Sequence, residues 1–563
     1  MRFLHPLKLV LISSLLMSCQ SVGLNQQPST GHQAAVASAH PLATQAGMDI
    51  LAQGGNAFDA AVAVSTTLAV VEPYSSGMGG GGFWLLHRAS DNHDMVIDGR
   101  EVAPLRAHRD MYLDKDGNVV PDLSITGPLS AGIPGQPAAL VHIAKQFGKL
   151  DLQVSLAPAI RAAQNGFAVT PHYRRMAQFR LDALRQYSSS AEIFLDNNEV
   201  PADGFIIRQP DLARTLQRIA QHGHDGFYAG PVARQLVDGT NAAGGIWSLA
   251  DLNNYKVKQR RPLVGHYRGF KVTTVPPPSS GGVAILSMLN MLSAQNWHRL
   301  SLHDQQHVFI EVMRRAYRDR AEFLGDSDFV PVPVSRLISQ AHANNLVTDI
   351  NMNQATPSQM LQGIGNQPKG NHTTHFSIID KDGNRVAATL SINYPFGSCF
   401  VVPGTGILLN DEMDDFSAKP GTPNAYGLVG AEANAIAPGK RMLSSMSPTF
   451  VESENMIAVL GTPGGSRIIT MVMHGVLGVV ENKTAQQIVS QPRFHHQYLP
   501  DKVQYEPGTF DQQQIDDLVK RGHELQLLDS SYGNMQVVIK NKHTGRLSAA
   551  SDPRGEGSAS VKP

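Results

Sequence analysis

The most regular alternation of apolar and polar positions lies past the middle of the chain. Thr374, Phe376 and Ile378 interleave with His375, Ser377 and Ile379, the period of a β-strand rather than a helix. Lys381-Asp382-Gly383 follows as a three-residue hairpin loop, with Gly383 where a type I turn plus bulge calls for a left-handed residue. Arg385 to Asn393 reads as the return strand. Pairing Asp380 with Asn384 sets the register, which puts Thr373 opposite Ser391 with Asn393 just beyond. A threonine at the mouth of a hairpin, ringed by polar groups, does little for packing and is a candidate reacting group.

Upstream, the pattern predicts two helices from Pro41. Leu42 to Gln53 stops at Gly54-Gly55, and Asn56 caps an Ala-rich run to Val71 that Glu72-Pro73 ends. Gly77, Gly79 and Gly82 then match the letters of a dinucleotide fingerprint. That motif needs a strand before it and a helix after. Here a helix precedes and the strand-like Phe83 to Leu86 follows, so close backbone packing or a loop beside an active site is the better reading. Val96 to Arg100 continues the strand pattern and leaves Arg100 at its end, before Glu101. From Pro137 to about Ile350 helical patterns alternate with turns, without a metal or nucleophile motif. Pro276 to Gly282 reads as a fixed corner opening the apolar helix Val283 to Leu292, and Glu311 to Leu324 as an amphipathic helix.

Asn353 to Gly370 is polar and reads as an exposed linker. Cleavage at its junction with the hairpin would release Thr373 as a new chain start. Beyond the hairpin, Asp411-Glu412-Met413-Asp414-Asp415 lacks the ligand spacing and central glycine of a calcium loop. Pro420 to Gly439, around Tyr426, fits a surface loop that closes over a site. Met456 to Leu460, then Gly461 to Gly465, then a helix from Ser466 to about Val480 gives strand, glycine turn and helix. That order points backbone N–H groups at an anion.

Charge excludes some roles. Lys plus Arg equals Asp plus Glu, 47 each, with no basic run, so nucleic-acid or membrane-surface binding has no electrostatic footprint. Arg2 and Lys8 with the apolar stretch Leu9 to Met17, too short to span a bilayer, predict an export signal over residues 1–19. Leu16-Met17-Ser18-Cys19 resembles a bacterial lipoprotein cleavage box with Cys19 lipidated; a plain secretory signal cut nearby is the alternative. Residues 20–37 read as a flexible tether. Cys399 is then left without a partner, so no disulfide is expected and its role is that of a small buried residue. His372 and His375 bracket the threonines, and His495-His496 follows Phe494, but neither set brings the further ligands of a zinc site. No G-x-S-x-G elbow occurs, which argues against the serine-hydrolase sheet fold.

Thr373-Thr374-His375-Phe376-Ser377, the run Leu408 to Ser417, Leu443 to Thr449 and Pro463 to Arg467 closely resemble the gamma-glutamyltransferase (gamma-glutamyltranspeptidase, glutathione hydrolase) family. So do Gly79 to Phe83 and Pro276 to Gly282, and the resemblance extends from about Ser38 to Arg554. It implies an α/β (α+β) N-terminal-nucleophile hydrolase, a four-layer αββα sandwich needing no cofactor or metal. It also implies self-cleavage between His372 and Thr373, giving a large subunit (38–372) and a small subunit (373–563) that form one fold. Thr373 would be both the self-cleaving residue and the nucleophile, with Gly464 and Gly465 as the oxyanion hole. Arg100, Ser444 and Ser445 would hold the substrate's α-carboxylate; Asn393, Glu412 and Asp415 would surround its α-ammonium; Tyr426 would lie in a lid loop. Ser391 departs from the positioning threonine of many members but keeps the hydroxyl, and Glu412 is a glutamine in some. The implied partners are glutathione and other γ-glutamyl compounds, with water or an amino acid or dipeptide as acceptor, in an exported, periplasmic enzyme. Two alternatives stand beside this. One is a cephalosporin or glutaryl acylase of the same fold, which would lack the lid and the ammonium-reading acids. The other is an uncleaved, inactive binding protein.

Overall fold

The hairpin forms in the register that its alternation dictates. Ile379 pairs with Arg385 and Thr374 with Leu390, and the turn closes from Asp380 N–H to the Asn384 carbonyl at 3.0 Å. Gly383 takes φ 92°, where an L side chain would be strained. The Asp380 carboxylate accepts the N–H groups of Asp382 and Asn384 and, across the fold, that of Ala57. The turn is thereby tied to the start of a helix packed over the sheet.

The computed structural model describes residues 33–361, 373–422, 424 and 427–562, all within one compact unit. Cys19 of the predicted leader, His372 of the predicted cleavage junction and Tyr426 of the predicted lid loop lie outside the described residues. Seven antiparallel strands form the first sheet, in the order Ser558–Lys562, Ala34–Ser38, Thr374–Ile379, Arg385–Ser391, Gly81–Arg88, His93–Gly99, Lys258–Arg260. A second antiparallel sheet of six strands is built around Thr449–Glu452 and Met456–Gly461.

Alternate residues of the first sheet enter different cores. Val36, Trp84, Leu86, Phe376 and Ile378 pack with the helices Pro41–Ala52 and Ala57–Val71. Ala35, Phe83, Leu85 and Ile379 pack instead with Phe450, Val459 and Val537 of the second sheet and with Leu302–Phe323 and Ile468–Val480 beyond it. Period-two strands buried on both faces are what an αββα sandwich requires. Burial is complete enough that all fifteen positions of Ala57–Val71 are buried. The fold class implied by the resemblance is the one observed.

Two boundaries differ from the sequence reading. The tether read over 20–37 is structured at its end, because Ala34–Ser38 is a buried strand between Ser558–Lys562 and Thr374–Ile379. Its sequence, Ala-Ala-Val-Ala-Ser, consists of small residues that carry no alternation; the neighbouring strands impose its order. The helix read from Glu311 begins at Leu302, where the Ser301 hydroxyl accepts the Asp304 N–H at 3.2 Å. Its first turns are polar, which hid the start.

Candidate active site

Thr373 immediately precedes the first paired residue of the hairpin, on the same strand face as His375 and Ser377. It lines a cavity together with Arg100, Ser391, Asn393, Glu412, Asp415, Ser444, Ser445 and Gly465. Sequence positions hundreds of residues apart converge there because the two sheets meet at this end. Arg100 follows the strand His93–Gly99, Ser391 ends its own strand, and Glu412–Asp415 is a single 3-10 turn.

Backbone packing fixes the frame. A Cβ on Gly79 would strike the Leu408 carbonyl oxygen, and one on Gly80 would strike that of Ser391. The glycine-rich loop therefore serves close approach beside the site. Asn410 uses its whole side chain to hold the acidic turn: it donates to the carbonyls of Gly79 (2.7 Å) and Gly132 (2.8 Å) and accepts the N–H groups of Gly132 and Glu412. Ser444 is propped by the proline corner. Its N–H donates to the Pro278 carbonyl at 2.8 Å, and its own carbonyl accepts both the N–H and the hydroxyl of Ser280.

Arg100 is fully buried and forks between two carboxylates. It donates to Asp415 Oδ2 at 2.5 Å and to Glu412 Oε2, with Glu101 Oε2 at 3.4 Å. Burial opposes its charge, but Glu412, Glu101 and Asp415 together outweigh that and hold its pKa above the ordinary value. Burial likewise pushes the Glu412 carboxyl up to about 7, against the pull of Arg100 and with Asp415 adding to the rise. Glu101 is raised as well, first by burial and then by Glu412, and its Oε1 is buried without a hydrogen-bond partner. Asn393, at φ 72°, donates its side-chain amide to the Asp411 carbonyl at 3.0 Å. The Ser391 hydroxyl accepts the Asn393 N–H at 2.7 Å and also donates to Glu412.

Across the cavity, the strand Met456–Gly461 leads into Gly464 (φ 141°) and Gly465 (φ 55°), both in conformations that favour glycine. The turn Gly465–Arg467 and the helix Ile468–Val480 follow. Backbone N–H groups at such a helix start have no partner within the helix.

A family profile described as gamma-glutamyltranspeptidase matches residues 43–562. The chain belongs to the gamma-glutamyltranspeptidase family. The glutathione hydrolase proenzyme of Escherichia coli (strain K12) is 40% identical over 94% of this chain and 91% of its own length. Among solved structures, cephalosporin acylase from Bacillus halodurans superimposes with a TM-score of 0.82 at 29% identity, covering 94% of this chain and 96% of that one. Helicobacter pylori gamma-glutamyltranspeptidase is 39% identical with a TM-score of 0.55, over 57% of this chain and 93% of that one. The chain is an enzyme of this transferase and hydrolase family.

Within the gamma-glutamyltranspeptidase fold, described residues of the loop 420–439 reach the site. Asn424 donates its side-chain amide to Asp415 Oδ1 at 3.1 Å, Leu428 lines the cavity, and Gln497 donates to the Gly427 carbonyl at 3.3 Å. Leu428, Met446, Ser466 and Ile468 are cavity residues that sequence reasoning did not single out; the first three lie in loop or motif stretches it did name, whereas nothing in the local pattern marks Ile468 within its helix. Glu101 was also missed, although a carboxylate adjoining a candidate arginine was a signal.

His375 is a core residue. Burial lowers its pKa to about 3, its ring nitrogens meet Thr389 and Ser377, and it packs on Gly461, where a Cβ would strike the ring. Among the described residues His307, Glu311 and His523 are spaced as metal ligands. The atoms that face one another are already paired: His307 Nδ1 and His523 Nε2 hydrogen-bond at 2.7 Å, and Glu311 pairs with Arg315 at 2.5 Å and Arg314 at 3.4 Å. Two arginines beside the carboxylate oppose a further cation.

Proposed function

We propose that this gamma-glutamyltransferase and glutathione hydrolase works through Thr373, which first cleaves its own chain after His372 and then carries the γ-glutamyl group. In the precursor, Thr373 Oγ attacks the preceding carbonyl, the His372–Thr373 amide becomes an ester as its C–N bond breaks and frees the α-amine, and water then hydrolyses the ester to free the hydroxyl and leave a carboxylate on His372. A threonine hydroxyl is a weak nucleophile, and the new amine, with a pKa near ~8, is a base on the same residue. It takes the hydroxyl proton as Oγ attacks the γ-amide carbon of glutathione. The oxyanion is held by the N–H groups of Gly464 and Gly465, and the leaving amine departs with the proton. Water or an acceptor amine, from an amino acid or dipeptide, then resolves the ester. Residues 38–372 and 373–563 are the two subunits. Family members named as proenzymes agree with this route. So does the Helicobacter pylori gamma-glutamyltranspeptidase chain, shorter than this one as a separate large subunit would be.

The observation that carries the reading is that Thr373, Gly465 and the Arg100–Glu412–Asp415 cluster line one cavity. Arg100 offers a carboxylate the planar fork now engaged by Glu412 and Asp415, and an incoming α-ammonium replaces it on those acids. Ser444 and Ser445 assist at the carboxylate, Asn393 at the ammonium, Ser391 beside the nucleophile, and Tyr426 closes the lid. A glutaryl group carries no α-ammonium and so has no use for this pair of acids. The test is parallel assay of γ-glutamyl-p-nitroanilide and a glutaryl amide: turnover of the first alone is expected, and preference for the second contradicts it. The leader and Cys19 fit an exported, periplasmic enzyme with a lipid anchor; labelling with a radioactive fatty acid, lost in Cys19→Ala, tests the anchor.

Two further outcomes follow from the geometry. Gly464→Ala forces a side chain into φ 141° and onto Met471 Cε, displacing the turn. Steady-state kinetics should show kcat falling by about 100-fold with KM little changed, the usual cost of one oxyanion donor. Because Glu412 titrates at about 7, its attraction for an ammonium is present above that pH and lost below it. The inhibition constant of L-glutamate should rise about tenfold from pH 8 to pH 6, as the ionised fraction falls, and Glu412→Gln should flatten that profile.

A further inference from the structure

Thr374 turns away from the cavity, toward the helical layer, and donates its hydroxyl to Glu72 Oε2 at 2.7 Å. Both residues are buried, and the chemistry above uses neither. Glu72 ends the helix Ala57–Val71. Its N–H donates to the Leu68 carbonyl, and its own carbonyl accepts the N–H groups of Ser75 and Ser76 at the start of the glycine-rich loop. Its backbone is therefore fixed from both sides. Among the described residues no lysine or arginine acts on its carboxyl. Burial pushes its carboxyl up to about 7, the Thr374 hydrogen bond opposes the rise, and Glu556 adds to it; Tyr74 also faces it. A carboxyl group at the negative end of a helix and out of water is an expensive choice unless its contact matters.

The contact lies where the strand has least other support. Thr374 is the first paired residue of Thr374–Ile379, opposite Leu390, and Thr373 precedes the ladder. Once the chain is cut, Thr373 is a chain end, and chain ends fray unless tied down. The tie sits on the face opposite the reacting oxygen, so it restrains the end without occupying the cavity. We propose that Glu72, acting through the Thr374 hydroxyl, is a positioning residue that holds Thr373 in place, first in the uncut chain and then, with more at stake, as a chain end after cleavage. This rests on Thr373 being the nucleophile.

The test compares Thr374→Val, Thr374→Ser, Glu72→Gln, Glu72→Leu and the Thr374→Val/Glu72→Leu pair. It reads self-cleavage rate, unfolding temperature, and kcat and KM on γ-glutamyl-p-nitroanilide. A nucleophile shifted by about an ångström loses on the order of 10- to 100-fold in rate. Thr374→Val should lose that much in kcat, with KM within about twofold and the unfolding temperature unchanged. Its self-cleavage should slow in parallel, and an uncut but folded Thr374→Val chain is the extreme of the same effect. Thr374→Ser and Glu72→Gln keep a donor and an acceptor and should stay near the parent. The double variant should be no worse than the worse single one, because both remove one contact. Parental kcat and cleavage in Thr374→Val, additive losses, or losses that follow the unfolding temperature (a chain that does not fold included) overturn the proposal. An active Thr373→Ala would instead remove the reading beneath it, whereas a dead Thr373→Ala beside a fully active Thr374→Val removes this inference alone.

Discussion

Thr373→Ala should yield a folded protein that stays one chain and fails to turn over γ-glutamyl-p-nitroanilide. Both outcomes would have one cause, since on the proposed route the substitution deletes the oxygen that attacks first the His372 carbonyl and then the substrate. Loss of a nucleophile that acts together with its base costs on the order of 10^4-fold or more in kcat. Thr373 is mostly buried at the cavity wall and its side chain is small, so the unfolding temperature should hardly change. Denaturing gel electrophoresis and a progress curve on the same preparation check both halves. Thr373→Ser, which keeps an oxygen, should still cut itself and still work.

Arg100→Lys should raise KM for γ-glutamyl-p-nitroanilide by about 100-fold while self-cleavage goes to completion. A lysine keeps the charge but presents a single point of contact where the guanidinium reaches Asp415, Glu412 and Glu101 at once. Disrupting a buried, hydrogen-bonded charge pair costs about 2–5 kcal/mol in binding, which is consistent with that factor. Cleavage does not read the substrate's α-carboxylate, and it should be spared. Removing the charge entirely, in Arg100→Met, should also cost about 3–5 kcal/mol of stability by leaving the acids buried without it. Initial-rate kinetics on the cleaved variants and urea unfolding separate the two effects.

The hairpin was legible because a buried strand paired through a three-residue turn leaves no freedom in register: Asp380 and Asn384 decide where Thr373 and Ser391 stand. The turn at Gly464 and Gly465 was legible from the order of strand, glycines and helix. Much of the cavity was not. Ile468 reaches it only through the meeting of two sheets, a nonlocal outcome with no local signature. The strand Ala34–Ser38 read as tether because its small side chains are patternless and its order comes from its partners. The resemblance assigned Arg100 to one end of a zwitterion and Glu412 with Asp415 to the other. That these groups pair with each other before any ligand arrives is visible only in three dimensions. The same holds for Glu72, which reads in sequence as nothing more than the end of a helix.

On the proposed route one residue supplies both the attacking oxygen and, once freed, the amine that activates it. Intact mass and amino-terminal sequencing of fully active, purified enzyme test it most directly. Two chains are expected, the smaller beginning at Thr373 with an unmodified amine, and activity should rise in proportion to the fraction cut. Full activity in a chain continuous through His372 and Thr373, or a small subunit that begins elsewhere, would contradict the account.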